Sequence, residues 1–513
     1  MTCVIGIDGG TESIRAHVFS LDGTCMGSAA AAYRTQFPHP GWAEQSPEDW
    51  WEALGTAMRA ALAMANVPIE SVLALSLATT TCTLVMLDDA RRPLAPALLW
   101  MDVRAAKEAE QVRAARDALP DTLLNLHGPV SAEWMLPKVL WLKTNAPELY
   151  GKSAIVCEYQ DYVIQRLTGR LVGSLNTAAI RWHYDSENGG YPIDLLARLG
   201  LGELLDKWPT EVLRPGECVG ILTPEAASHL GLPPTVKVIQ GGADAFVGMI
   251  GAGVCRPGQL ALISGSSHLQ LAVSAQRRNV PGLWGSYADA IYPGRHIIEG
   301  GQAASGAMVA WISRLLGTPN DWDRLNAEAA ALPPGSDGLV MLDHFQGGRS
   351  PHTDAASRGA IVGLSLAHTQ AHLFRAAIES VCLGTQAVLE TMQRHGLPIS
   401  EITIVGGATR SPLWLQIHAD VSGVPLQVPE VTDGPGLGAA ILAAVGAGCF
   451  EGIDSAIASM VRIARTIQPD PERHATYRKL FADYFSLYPA LRAWRLERAP
   501  TYSPADRDSH EIA

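Results

Sequence analysis

Two stretches decide the fold: Val4-Ile5-Gly6-Ile7-Asp8-Gly9-Gly10-Thr11 near the start, and Leu260-Ala261-Leu262-Ile263-Ser264-Gly265-Ser266-Ser267 almost half the chain later. Each is an apolar run ending in a turn of glycine and small polar residues. A second apolar run follows each turn, through Val18-Phe19 in one copy and Leu269–Val273 in the other, so each copy reads as a β-hairpin. Asp8 superposes on Ser264. Strand–glycine–strand patterns are common enough to match by chance. The sharper alternative is a duplicated, two-lobed protein whose halves meet near Gly251-Ala252-Gly253-Val254-Cys255-Arg256-Pro257-Gly258, where Gly and Pro punctuate regular structure.

Working outward, further short apolar runs bounded by glycine predict strands at Val72–Leu77, Leu84–Leu87, Val236–Ile239 and Ile402–Val405. Longer helical patterns alternate with them, among them Pro47–Ala65, Val103–Ala118, Ser131–Asn145, Gln160–Leu167, Gly306–Leu316, Ala367–Arg394, Pro412–Ser422 and Gly436–Ala447. The alternation is an α/β signature. A last helix over Pro471–Leu487 carries Tyr477, Leu480, Phe481, Tyr484 and Tyr488 at helical spacing, which predicts an apolar face docked on the body. Residues 1–250 are read as an N-terminal lobe, 251–499 as a C-terminal lobe and 500–513 as a frayed polar tail.

At 513 residues the chain is long enough for two cores, and a net charge of −12 with 47% apolar and 18% charged residues fits a large globular protein. The acidic surplus argues against an electrostatic grip on nucleic acid or anionic membrane and favours a small-molecule ligand. The eight cysteines lie scattered with no C-x-x-C pair, as reduced thiols in a cytoplasmic protein would. No signal peptide is expected, and the apolar segment Leu437–Phe450 is too short, and too interrupted by glycine, to cross a bilayer.

Three glycine turns could carry chemistry. Polyphosphates need close backbone approach and free N–H donors, which Asp8–Thr11 and Ser264–Ser267 both offer, although neither is a Walker loop. Asp8, at the end of a buried strand, suits a site for Mg²⁺ or its waters; a capping or turn aspartate is the alternative. Asp244, in Gln240-Gly241-Gly242-Ala243-Asp244 after the strand Val236–Ile239, suits a general base meeting a substrate hydroxyl, or else a helix N-cap. The turn Val405-Gly406-Gly407-Ala408 before Pro412 offers a platform for a nucleoside, or merely close packing.

Taken in order, these motifs resemble those of the FGGY carbohydrate kinases from Val4 to about Gly448. The resemblance also rests on Gly41-Trp42-Ala43-Glu44-Gln45, Trp100-Met101-Asp102-Val103-Arg104, Gly363-Leu364-Ser365-Leu366-Ala367-His368-Thr369 and Arg375-Ala376-Ala377-Ile378-Glu379. It implies two ribonuclease-H-like lobes of the actin–hexokinase type, closing over a cleft that binds sugar and Mg-ATP. By the same resemblance, Asp244 is the general base and Asp8 stands near the metal. Gly9, Gly10, Thr11, Gly265, Ser266 and Ser267 cradle phosphates, and Gly406, Gly407 and Ala408 meet the nucleoside.

For the sugar, Thr79-Thr80-Thr81-Cys82-Thr83, Trp100–Ala105 and Glu299-Gly300-Gly301-Gln302-Ala303 are similar to ribulokinase sequences. Thr81, Cys82, Asp102, Arg104, Glu299 and Gln302 are therefore the expected sugar contacts, since polyol recognition needs groups that exchange hydrogen bonds with vicinal hydroxyls. The competing readings are an N-cap for Asp102, a structural acid partner for Arg104 and a buried salt bridge for Glu299. Thr432-Asp433-Gly434-Pro435-Gly436 departs from the family pattern and leaves nucleotide preference open. The expected activity is ATP- and Mg²⁺-dependent phosphorylation of a ketopentose such as ribulose. Xylulose, pentitol and tetritol kinases, and a non-catalytic actin-like nucleotide binder, are the alternatives; no nucleic-acid or membrane partner is expected, and a homodimer is left open.

Overall fold

The structure is a computed structural model that describes residues 2–120, 130–319 and 321–498. The proposed tail 500–513 lies outside the described residues.

Two mixed sheets organise the chain. The first runs Cys218–Ile221, Lys237–Ala243, Val72–Thr79, Cys3–Gly9, Ser13–Ser20, Cys25–Ala32; its three middle members are parallel and the flanking pairs antiparallel. The second runs Ile463–Ile467, Leu426–Pro429, Glu401–Gly406, Gln259–Ser264, His268–Ser274, His296–Gln302, with Trp284–Ala288 added at the edge. Its pairings alternate in the same way, antiparallel, parallel, parallel, antiparallel, antiparallel. The two sheets are thus copies of one topology, and the opening strand matches Gln259–Ser264 strand for strand, as the sequence echo suggests.

The helices follow local rules. Pro47–Ala65 begins with Pro in its first turn, carries Glu48 and Asp49 where the positive end of the helix dipole favours acids, and stops at Asn66 in the left-handed region (φ 49°, ψ 43°). Asn66 closes that end by donating its N–H to Leu62 O. The helix buries Trp50, Trp51, Leu54 and Met58 against the first sheet, and Trp50 stacks on Tyr159 at 3.8 Å. Each such side chain removed from water contributes about 1.5–3 kcal/mol. The last helix, Pro471–Arg498, docks Tyr477 and Tyr484 into the second core, as its periodicity predicts.

One element departs from a division at residue 250. Helix Gly434–Ala447, although late in the chain, packs on the first sheet and along helix Asp244–Gly251. Glycine makes this approach possible: a Cβ on Gly6 would lie 1.9 Å from the backbone O of Gly436, and one on Gly438 would lie 1.9 Å from that of Val247. The core between the lobes, including Phe246, Leu437, Ile441, Leu271 and Tyr287, is built around this crossing. The helix carrying Asp244 is therefore fixed at the joint of the two halves.

Candidate active site

The carboxyl ends of the three parallel strands of the first sheet lie side by side. Asp8 pairs with Ala78, and Gly9 and Ala243 both pair with Thr79, so Asp8, the Thr80–Thr83 turn and Asp244 emerge along one edge. In the second sheet Ser264 pairs with Gly406, and the Ser264 hydroxyl accepts the Ala408 N–H at 3.3 Å. The two C-terminal glycine turns are thus neighbours.

A cavity of about 780 Å³ opens between the two sheets. Its walls come from both halves: Thr11, Thr81, Cys82, Trp100, Trp134, Arg181 and Asp244 on one side, Gly265, Ser267, Leu269, Trp284, Glu299 and Arg349 on the other. Asp244 is the first residue of its helix. Ala243 occupies the cap position and, among the described residues, the Asp244 carboxylate takes the adjacent Ala245 N–H alone, at 2.7 Å, so the residue does not serve as a helix cap. Burial pushes the Asp244 carboxyl up to about 6, against the Ala245 N–H and the Arg15 charge, which favour ionisation. A half-buried carboxylate in that range, facing a cavity, is suited to accept a proton from a hydroxyl.

Asp8 sits almost fully buried behind the cavity, bonded to Arg15 Nη1 at 2.6 Å. Burial lifts it to about 7, aided by the Asp433 and Asp244 charges and opposed by Arg15 and His17. Asp433, which the sequence reading passed over as a site residue, caps helix Gly434–Ala447 by accepting the Gly436 N–H at 3.1 Å. It also lies 3.3 Å from His17 and 3.8 Å from Arg15. Burial opposes the His17 charge, yet Asp433 carries its pKa to about 9. The divergent Gly434-Pro435-Gly436 therefore turns its helix onto the first lobe, where Gly434 and Gly436 are buried. Its neighbourhood to Asp8 was invisible in sequence because Asp433 lies far along the chain.

The donor set fits a Mg²⁺ carried with a nucleotide. Mg²⁺ keeps most of its waters and takes one or two carboxylates plus phosphate oxygens. A cation would relieve Asp8, whose ionisation is suppressed by burial and by the Asp433 and Asp244 charges. Among the described residues no group of three or more His, Cys, Asp or Glu is arranged to hold a metal, so an all-protein cage is not what these residues build.

The sugar-side turn has a buried support. Glu158 accepts Cys82 N–H at 3.3 Å, Thr83 N–H at 3.1 Å, Thr81 Oγ1 at 3.3 Å and Trp182 Nε1 at 3.2 Å. Burial lifts Glu158 to about 7 against these donors. Lys138, fully buried, donates to the carbonyls of Cys82 and Leu99. Glu299 lines the cavity and also forms the anticipated salt bridge: Arg181 grips it at 2.8 and 3.1 Å, and Tyr287 OH donates at 2.7 Å. Arg181, in helix Leu175–Arg181, is a cavity residue the sequence reading did not single out.

Three expected sugar contacts stand elsewhere. Asp102 is fully buried and accepts the Ala43 N–H at 2.8 Å and Arg104; the following helix begins at Ala106, so it is no N-cap either. Arg104 pairs with Asp102 and Glu44, each at 2.7 Å, and stacks on Trp42 at 3.6 Å. Gln302 spends its amide on Asp343, Val381 O, Gln270 and Thr385 in the second core. None of the three lines the cavity. Of the expected phosphate and nucleoside residues, Thr11, Gly265 and Ser267 face it. Gly9, Gly10, Ser266, Gly406, Gly407 and Ala408 stand behind or beside it. The Gly10 N–H already serves Ser13 O, and the Gly265 N–H serves Ser267 O.

A two-lobed α/β molecule with a base-like aspartate and glycine–serine turns facing one cleft has the form of an enzyme that transfers phosphoryl groups to hydroxyls. Residues 3–251 match the N-terminal domain, and residues 260–447 the C-terminal domain, of the FGGY family of carbohydrate kinases. The chain belongs to this family and is a sugar kinase with ATP as the phosphoryl donor. It is 34% identical to a ribulokinase of Mycolicibacterium smegmatis, over 97% of this chain and 96% of that protein. It is 28% identical to a xylulose kinase of Bacillus subtilis, over 95% and 97%. Among solved structures, a xylulose kinase from Rhodospirillum rubrum superposes with a TM-score of 0.85 at 30% identity, covering 96% and 99%. Among the described residues no helix is long and apolar enough to cross a membrane.

Proposed function

We propose that this kinase phosphorylates the terminal hydroxyl of a ketopentose, ribulose before xylulose, with pentitols and tetritols as further candidates. A ribulokinase and a xylulose kinase both align with nearly the whole chain. The observation that carries the reading is Asp244: a carboxylate lifted to about 6, held at the joint of the lobes and facing a cavity shared with the Gly265–Ser267 turn.

In this reading Asp244 receives the proton of the attacking hydroxyl. Thr81, Cys82, Glu299 and Arg181 bound the sugar, whereas Asp102, Arg104 and Gln302 brace the walls. Thr11, Gly265 and Ser267 meet the phosphates, with Gly9, Gly10 and Ser266 shaping those turns, and Gly406, Gly407 and Ala408 border the nucleoside. Asp8, with the phosphate oxygens, would hold Mg²⁺, which supplies charge neutralisation when bound. Phosphoryl transfer passes a loose transition state, so the residues act mainly by alignment and exclusion of water. An ADP-release screen over pentuloses, pentitols and tetritols tests the substrate, with Asp244→Asn as control. Ribulose turning over no faster than a tetritol would overturn the pentulose assignment.

A further inference from the structure

Among the described residues two cations line the cavity, Arg181 and Arg349. Arg181 is committed, both nitrogens resting on Glu299. Arg349 is not: among the described residues its guanidinium meets no carboxylate and makes no hydrogen bond, only the face of Trp284 at 5.7 Å. A half-buried guanidinium held beside an indole in a cleft is weakly hydrated and open to an anion.

Its position is fixed by the second sheet. The Arg349 stem lies on Gly301, where a Cβ would come within 2.9 Å of Arg349 Cδ. Ser350 clamps the loop to that residue through its N–H to Gly301 O at 2.9 Å and its hydroxyl from Gly301 N–H at 3.2 Å. Gly348 and Asp354 exchange backbone bonds, and Asp354 is tied to Tyr488 and Arg495 of the last helix. Gly301 and Glu299 share one face of their strand, because side chains two apart point the same way. Gly301 pairs with Leu269, two residues beyond Ser267. Arg349 therefore stands between Glu299 on the sugar side and the Gly265–Ser267 turn on the phosphate side.

We propose that Arg349 is the oxyanion clamp of this cleft: its guanidinium receives the phosphoryl group in transit from nucleotide to acceptor hydroxyl and then holds the phosphate of the product. The inference rests on the kinase reading with Asp244 as base. The bond from the γ-phosphorus to its bridging oxygen breaks, its electron pair leaving with ADP. A bond forms from phosphorus to the acceptor oxygen, whose proton passes to Asp244. Arg349 gains and loses no proton; it supplies fixed charge and forked donors to the equatorial oxygens.

The test compares wild type, Arg349→Gln and Arg349→Lys in two assays. Thermal melting is read with MgADP alone and with MgADP plus aluminium fluoride, a mimic of the phosphoryl group in flight. Wild type should gain a further rise in Tm on adding aluminium fluoride; Arg349→Gln should keep the MgADP rise and lose the further one. Sugar-dependent ADP release should fall by about 10²–10³-fold in Arg349→Gln and less in Arg349→Lys, which keeps the charge without the fork. A further rise that survives in Arg349→Gln, or is missing in wild type, overturns the clamp. So does a higher sugar KM with unchanged kcat, which would make Arg349 a sugar contact. If wild type shows no sugar-dependent ADP release the kinase reading fails by itself, while the melting arm still decides Arg349.

Discussion

Acidification should silence turnover through Asp244. Burial pushes this carboxyl up to about 6, a bias on the order of 3 kcal/mol against the charged form. A base works only when ionised, so kcat/KM for the sugar should fall about tenfold per pH unit below that value, reaching about thirty-fold at pH ~4.5. An unburied aspartate would hold the rate level to pH ~5 and within about twofold at pH ~4. The perturbation is the pH series paired with Asp244→Asn, which should cost about 10²–10⁴ in kcat and leave a residue without the acid limb. Saturating Mg-ATP is needed, because Asp8, lifted to about 7, would otherwise be neutralised by protons in the same range. ADP is measured directly by chromatography of quenched samples, and circular dichroism at each pH separates titration from unfolding. A wild-type profile level down to pH ~4.5, or an Asp244→Asn variant within about tenfold of wild type, would rule out Asp244 as the base.

Gly6→Ala should destabilise by about 1–3 kcal/mol or more in urea titration, because the new Cβ meets the Gly436 carbonyl at 1.9 Å and must push the crossing helix off the first sheet. Arg181→Met should cost about 3–5 kcal/mol by leaving Glu299 buried and unpaired, and Arg181→Met with Glu299→Leu should recover much of that loss. Glu158→Gln presents an amide to four donors; a loss of about 1–3 kcal/mol in Tm-derived stability and a higher sugar KM are expected, as the Thr81–Thr83 turn loosens. Chelation by EDTA should abolish ADP release, with restoration by added Mg²⁺; undiminished turnover in EDTA would exclude the Asp8 metal role.

The acidic pair Asp8 and Asp433 shows how the halves depend on each other. Asp8 ends a strand near the start and Asp433 caps a helix far along the chain, yet the Asp433 charge helps lift Asp8, while His17, the Gly436 N–H and Arg15 hold Asp433 below the usual carboxylate range. Along one strand Arg15 reaches both carboxylates, and His17, two residues on, reaches Asp433. The crossing helix thus brings the charge balance of the first lobe under the control of the second.

The local and the repeated features of this protein were legible in its residues alone. Leu84–Leu87, Pro47–Ala65 and Pro412–Ser422 end where their periodicity, Pro and glycine signals say they end, because those signals act within a few residues. The hairpin echo gave the duplicated topology, and the Gly242–Asp244 turn gave the candidate base. Strands such as Cys25–Ala32, built of small residues, and His296–Gln302, interrupted by Gly300 and Gly301, carried too weak a β pattern to be read. Which polar residues face the cavity was settled by packing between segments far apart in the chain. Asp102 and Arg104 look like sugar ligands in one dimension, but Glu44, Ala43 and Trp42 consume them. Arg349 looks like any loop arginine until the fold sets it in a cleft with no acid partner among the described residues. Partners are chosen by long-range packing, and a residue's chemistry is what remains after its neighbours have been counted.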